Sequence, residues 1–139
     1  VRDWGYAKDY VEAIWRILQH REPDDFLIAT GKTHTVRQFV EETGKNLGME
    51  IFWKGKGLQE KGIDRKTGKT VILIDPIHFR PNEVPFLQGD ATKARRVLKW
   101  KPQTGFVDLV KLMTSHDLEY VKQEAELGHP VVTQRKFQV

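Results

Sequence analysis

Several residue types and motifs are missing from the 139-residue sequence, and their absence is informative. Cysteine is missing, which excludes disulfide bonds and thiolate metal sites and favours a cytoplasmic location. No apolar run approaches the roughly 18 residues that a membrane-spanning helix needs, so we predict no membrane association. The five histidines are scattered without metal-ligand spacing, and no nucleophile elbow or Gly-x-Gly-x-x-Gly turn occurs. We therefore predict no metal site and find no recognisable catalytic motif.

What the sequence does contain is typical of one globular domain. Hydrophobic residues make up 39% and charged residues 30% of the chain, enough apolar material to bury a core. The net charge of +4 is modest, so it permits an anionic ligand without requiring one.

Hydrophobic periodicity predicts an α/β fold, because helical and strand patterns alternate along the chain. Thr35 and Gln38 form the pattern of a capping box at the start of one helix, and Asp90 is a candidate N-cap for another. The predicted helices begin at residues 7, 36, 91 and 104, the predicted strands cover residues 26–29, 50–53 and 70–74, and a mobile, glycine-rich basic loop covers residues 54–69.

The basic loop ends in Gly68-Lys69-Thr70, which resembles the end of a phosphate-binding P-loop. That motif needs four residues between its first glycine and the Gly-Lys-Thr, whereas Gly62 leaves five, and a strand rather than a helix follows. The P-loop interpretation is therefore rejected. The basic residues of this loop and of the tail leave nucleic-acid binding open as an alternative, which a steep salt dependence would reveal.

A candidate anion site follows the predicted buried strand that ends at Asp75. The loop presents Arg80, and Pro81 restricts the backbone of the residue before it to extended geometry. A guanidinium held in this way suits a planar, bidentate anion such as a diphosphate. The alternative is an ordinary surface ion pair between Arg80 and Glu83, and the local pattern does not exclude it.

Seven segments of the sequence form a recognisable series: residues 2–15, which begin Arg2-Asp3-Trp4-Gly5, and residues 25–31, 35–40, 60–63, 75–84, 89–94 and 98–102. In this order they resemble GDP-mannose 4,6-dehydratases, which are NADP-dependent enzymes of the extended short-chain dehydrogenase/reductase type. The resemblance covers residues 1 to about 122 and implies an α/β C-terminal substrate-binding lobe that lacks most of the Rossmann cofactor domain. On this basis residues 1–125 are the substrate-binding part and residues 126–139 a loosely attached tail.

The resemblance implies that the whole enzyme is a lyase that converts GDP-mannose to GDP-4-keto-6-deoxymannose with NADP, in the biosynthesis of GDP-fucose. The family's glycine-rich turn and its Tyr-x-x-x-Lys pair do not occur in this chain. We therefore expect no catalytic residues and no NADP bound to this chain alone, and no activity without the remainder of the enzyme. Without the cofactor domain, Val11, Ile14 and Trp15 of the first helix should lose packing partners.

The resemblance also implies the substrate contacts. Arg2 and Arg80 match the two arginines that reach the diphosphate from opposite sides, Glu83 matches a residue near the ribose, and His78 stands where an aromatic residue is common. The implied partners are GDP-mannose or GDP and further copies of the enzyme in a homo-oligomer, but neither nucleic acid nor a membrane. Two alternatives stay open: a catalytically inactive nucleotide-sugar-binding or interaction module, and, for Arg2, a plain ion pair with Asp3 or Asp9.

Overall fold

The computed structural model describes residues 1–80 and 82–128, and within them it confirms the predicted mixture of helices and strands. The part of the predicted tail beyond residue 128 lies outside the described residues, as does Pro81. The elements are β1 (Arg2–Asp3), α1 (Ala7–Leu18), β2 (Thr33–His34), α2 (Val36–Asn46), β3 (Ile51–Lys54), β4 (Lys61–Asp64), β5 (Thr70–Leu73), α3 (Thr92–Val97) and α4 (Phe106–Glu126), with short 3₁₀ turns at Gly57–Gln59 and Pro76–His78.

The strands form two small antiparallel sheets. In the first, β1 pairs with β2, so that Arg2 lies opposite His34. In the second, β4 lies between β3 and β5, which corrects the prediction of a mobile loop over residues 54–69. Glycine and lysine have low strand propensity, but hydrogen bonding to a neighbour on each side overrides it. Gly62 permits the close approach, because a Cβ there would lie 2.9 Å from the Ile72 side chain.

Two strand predictions need correction. Residues 26–29 form no strand, because no neighbouring strand among the described residues lies alongside to accept their hydrogen bonds. They still contribute to the interior, since Ala29 is buried and Phe26 packs against the core. β5 forms as predicted, but it is an exposed edge rather than a buried strand: Val71 is 40% and Leu73 46% exposed.

The core lies between α1, residues 26–29, and α3 with the loop that follows it. Four of its buried residues are alanines, which let these segments approach one another closely. Trp100 fills the space among them, and its indole Nε1 donates a hydrogen bond of 2.9 Å to the carbonyl oxygen of Asp9. The buried members are Ala13, Ala29, Ala91, Ala94, Leu98 and Trp100.

The helix ends agree in part with the predicted caps. Thr35 and Gln38 form the complete capping box of α2, as predicted. The N-cap of α3 is Ala91, and the Asp90 carboxylate accepts a hydrogen bond from the Thr92 amide, so the predicted cap acts one residue early. α4 begins at Phe106, two residues later than predicted. α2 and α4 pack against each other.

The outer face of α1 is exposed and apolar. Val11 is 64%, Ile14 56% and Trp15 61% exposed, so these side chains lie largely outside the core of the described residues. That the cofactor domain covers them in the whole enzyme stays a prediction. The face opposite carries Asp9 and Ala13, which are both buried. Among the helices of the described residues, none is sufficiently long and apolar to cross a membrane.

A candidate anion site around Arg2, Arg80 and Glu83

Arg2 is fixed against the segment that follows the second sheet. Its Nη1 donates to the carbonyl oxygens of Val1 and Val84, both at 2.8 Å, and its Nη2 pairs with Oε1 of Glu83. The amide of Leu87 donates to the carbonyl oxygen of Val1 at 3.3 Å, which extends the contact between these chain segments. β1 therefore brings Arg2, from the start of the chain, beside a carboxylate from its middle.

Arg80 lies on the other side of the same carboxylate. Its Nη1 is 4.0 Å from Oε2 of Glu83, and its side chain is 79% exposed. The two arginines named from the sequence thus face different oxygens of Glu83, and the three groups carry a net charge of +1. Two guanidinium groups beside one carboxylate give this part of the surface a net positive charge, which favours an anionic ligand.

The cavity at this position is shallow and open. Phe79, Arg80, Asn82, Glu83 and Val84 line a volume of about 460 Å³. Arg2 is not a lining residue and contributes to the cavity through its contact with Glu83. A wide, open surface of this kind suits the charged part of a ligand rather than an enclosed apolar group.

A 3₁₀ turn carries Arg80 to the cavity. Pro76–His78 forms the turn, and the Asp75 carboxylate caps it by accepting a hydrogen bond of 2.9 Å from the amide of Ile77. His78 Nδ1 lies 3.1 Å from the second oxygen of Asp75. His78, whose role the sequence left open, therefore belongs to the turn and not to the cavity lining.

The ion pairs considered for Arg2 from the sequence are wrong. The Asp3 carboxylate accepts hydrogen bonds from Thr30, Gly31 and Gly89, and that of Asp9 accepts from the amides of Gln103 and Thr104. Both carboxylates are occupied in joining separate segments of the chain. The pair between Arg80 and Glu83 does form, but at the long distance given above, since Glu83 lies closer to Arg2.

Asp3 is the residue that sequence reasoning missed. It stands next to Arg2 in the Arg2-Asp3-Trp4-Gly5 segment, and its hydrogen bonds join β1 to the segment at Gly89. The signal in the sequence was a carboxylate directly beside an arginine. In a strand, successive side chains point to opposite faces, so the two residues contact different parts of the chain.

The described residues do not fit the pyrophosphate of a dinucleotide cofactor. Such a site needs a glycine-rich turn between a strand and a helix. Among the described connections from a strand to a helix, the one from β2 to α2 is closed by the side chains of Thr35 and Gln38. Gly5, before α1, is covered by the Tyr10 ring, since a Cβ there would meet its hydroxyl oxygen at 2.1 Å. Within residues 1–80 and 82–128, no group of three acidic or histidine side chains could hold a metal ion.

The fold and the site together define a mixed α/β chain in which two arginines flank one glutamate, and comparison with known proteins gives its family. The family model for GDP-mannose 4,6 dehydratase matches residues 1–113. The chain is similar to GDP-mannose 4,6 dehydratases of Drosophila melanogaster (52% identity over 122 residues, 88% of this chain and 31% of the relative) and Homo sapiens (50% over 121 residues, 87% and 32%). The relative from Sinorhizobium fredii is 49% identical over 121 residues, 87% of this chain and 34% of the relative.

The chain belongs to the GDP-mannose 4,6-dehydratase family, which confirms the resemblance identified from the sequence. It spans about a third of the length of the curated relatives it matches.

Proposed function

We propose that this chain is the substrate-binding part of a GDP-mannose 4,6-dehydratase and that it takes the diphosphate of GDP-mannose or GDP at Arg2 and Arg80. The observation that supports this proposal most directly is that both guanidinium groups lie beside one carboxylate, that of Glu83, which lines the open cavity together with Arg80. Arginines from distant parts of the sequence can act on one diphosphate only if the fold brings them together.

Each residue of the site has a distinct part in the proposal. Arg80 is exposed, so its guanidinium is available to bind phosphate oxygens in a bidentate manner. Arg2 is held by two carbonyl oxygens and supplies a fixed second charge. Glu83 keeps the two cations close together without a ligand, and its carboxylate can accept hydrogen bonds from ribose hydroxyl groups when the ligand is bound.

The remaining parts of the whole enzyme would supply the cofactor site and the catalytic groups. The relatives are about three times as long as this chain, and the residues present here do not fit NADP. We expect the chain to be a C-terminal lobe of an extended short-chain dehydrogenase/reductase, which assembles into a homo-oligomer as part of the whole enzyme. Alone, it should bind the nucleotide sugar without dehydrating it. A catalytically inactive binding module would use the same site, and the length of the natural protein distinguishes the two.

Calorimetric titration of the full 139-residue chain tests the proposal. GDP and GDP-mannose should each bind once per chain, more tightly than ADP, and the Arg2→Ala, Arg80→Ala double variant should lose this binding. The matched control is Arg37→Ala, which removes an exposed arginine paired with Glu60 at 2.5 Å and should leave GDP affinity unchanged.

A single-stranded oligonucleotide serves as the competing ligand in the same titration. Binding to the nucleic-acid backbone would fall steeply as salt rises from 50 to 200 mM, whatever the base sequence. Oligonucleotide binding stronger than GDP binding, or equal GDP binding by the double variant, would contradict the proposed function.

A further inference from the structure

Asp3 accepts an unusually large set of hydrogen bonds from separate segments of the chain. Its Oδ1 accepts from the amide of Thr30 at 3.0 Å and from the Thr30 hydroxyl at 2.5 Å. Its Oδ2 accepts from the amide of Gly31 at 2.8 Å and from that of Gly89 at 3.4 Å. One carboxylate thus joins β1, the turn after residues 26–29, and the segment that leads away from Glu83.

These hydrogen bonds attach β1, which carries Arg2, to the chain segment that follows Glu83. Arg2 and Asp3 are successive residues of β1, so their side chains leave the strand on opposite faces. Asp3 therefore anchors β1 on one face while Arg2 contacts Glu83 and Val84 on the other. Gly89 makes this arrangement possible, because a Cβ at that position would lie 2.2 Å from the Cβ of Ala29.

Further hydrogen bonds tie the same turn to the same segment. Gln88 Nε2 donates to the carbonyl oxygen of Gly31 at 2.6 Å, and Arg95 Nη2 donates to that of Thr30 at 2.8 Å. The turn at Thr30 and Gly31 is therefore fixed from β1, from the segment after Glu83, and from α3.

We propose that Asp3 is a positioning residue for the diphosphate site and acts by fixing Arg2 relative to Glu83; this inference rests on the proposed function of the arginine pair. A carboxylate suits the position because both of its oxygens accept hydrogen bonds from N–H groups. In asparagine an NH₂ group, which is a donor, would replace one of the two accepting oxygens. It would face N–H donors, so at least one of these donors would lose its acceptor.

The test is a double-mutant cycle in the full chain, with GDP affinity measured by calorimetry. Asp3→Asn and Arg2→Ala should each weaken GDP binding by about tenfold. If Asp3 acts through Arg2, the double variant should also lose about tenfold rather than a hundredfold, because residues that act as a unit are not additive. A hundredfold loss in the double variant would overturn the inference.

Asp64 provides a matched control for a purely structural effect. It is 3% exposed, and its carboxylate accepts from the amides of Glu50 (3.1 Å) and Lys66 (3.3 Å) and from the Thr67 hydroxyl (2.8 Å) in the other sheet. Asp64→Asn should lower the melting temperature and leave GDP affinity unchanged. An equal loss of GDP affinity in Asp64→Asn and Asp3→Asn would mean that Asp3 contributes only general stability.

A second measurement reports on Arg2 without any ligand. In ¹H–¹⁵N spectra, Asp3→Asn should move the Nε–Hε signal of Arg2 toward its position in Glu83→Gln, whereas Asp64→Asn should not move it. If Asp3→Asn does not fold, Thr30→Val removes one hydrogen bond to Asp3 and should give a smaller shift, with Thr67→Val as its control.

The two proposals can fail separately. If Arg2→Ala leaves GDP affinity intact, the proposed function fails while the Arg2 signal still tests the role of Asp3. An unchanged Arg2 signal in folded Asp3→Asn or Thr30→Val would overturn the positioning role.

Discussion

Arg80→Ala should separate ligand affinity from folding stability. The Arg80 side chain is 79% exposed, and its one described ion pair spans 4.0 Å to a half-exposed Glu83. Exposed pairs of this kind contribute little, about 0 to 1 kcal/mol. The substitution should therefore change the free energy of unfolding by less than about 0.5 kcal/mol, within the range of ordinary surface changes.

The expected loss in affinity is much larger. A hydrogen bond between a guanidinium and a phosphate oxygen contributes about 1.5–3 kcal/mol. At about 1.4 kcal/mol per decade, Arg80→Ala should weaken GDP binding by roughly ten- to a hundredfold. Arg80→Lys should recover only part of this affinity, because an ammonium group supplies a point charge without the planar pair of donors.

The assay combines calorimetric titration with GDP and urea unfolding of the same protein samples. Arg65→Ala is the control for loss of an exposed charge, since Arg65 is 62% exposed and pairs with Glu50 at 2.8 Å beside the second sheet. It should change neither quantity appreciably.

Two outcomes would refute the reasoning. Unchanged GDP affinity in Arg80→Ala would reduce Arg80 to a surface ion-pair partner of Glu83. A loss of affinity accompanied by an equal loss in unfolding free energy would mean that the arginine supports the fold instead of the ligand.

Two further predictions concern other parts of the chain. Trp15→Lys on α1 should lower self-association in sedimentation velocity, because exposed apolar patches drive association. Val107→Lys on α4 is the control and should not lower it, since Val107 is 55% exposed and Trp15 61%. Equal effects of the two substitutions would contradict a role for the α1 face. For Asp64, the hydrogen bond from Thr67, followed by those from backbone amides, lowers the pKa of the carboxyl below its usual value. Its contribution to stability is therefore present above pH about 4 and is lost as the pH falls below that value. Urea unfolding at pH 6 and pH 3 should show a smaller pH dependence in Asp64→Asn than in the unaltered chain, and an equal dependence would contradict this.

Local signals in the sequence predicted the elements whose determinants are local. The capping box of Thr35 and Gln38 marks the start of α2, and Gly48, with φ of 75°, follows its end. β3 and β5 were also predictable, because short apolar runs bounded by turn residues are typical of strands. In each case the residues that determine the element lie within it or directly beside it.

Elements that depend on distant partners were not predictable in the same way. β4 contains Gly62 and begins with Lys61, and only pairing with strands on both sides makes it the centre of a sheet. Residues 26–29 have strand-like composition, but no strand of the described part of the chain pairs with them, so they form no strand there. The contact between Arg2 and Glu83 joins residues far apart in the sequence, and the family resemblance implied their shared site but not that geometry.

The candidate site and the exposed face of α1 depend on different kinds of contact. The buried cluster is built mainly from alanines, with Trp100 as its largest member, while the large apolar side chains of the outer face of α1 remain exposed. By contrast, Arg2 is held by hydrogen bonds to backbone carbonyl groups, and β1 is anchored through the carboxylate of Asp3. None of these polar contacts involves a residue of α1, so we expect the geometry of the arginine pair not to depend on whether the face of α1 is covered. Substitutions on that face should therefore alter association, while substitutions at Asp3 should alter ligand binding.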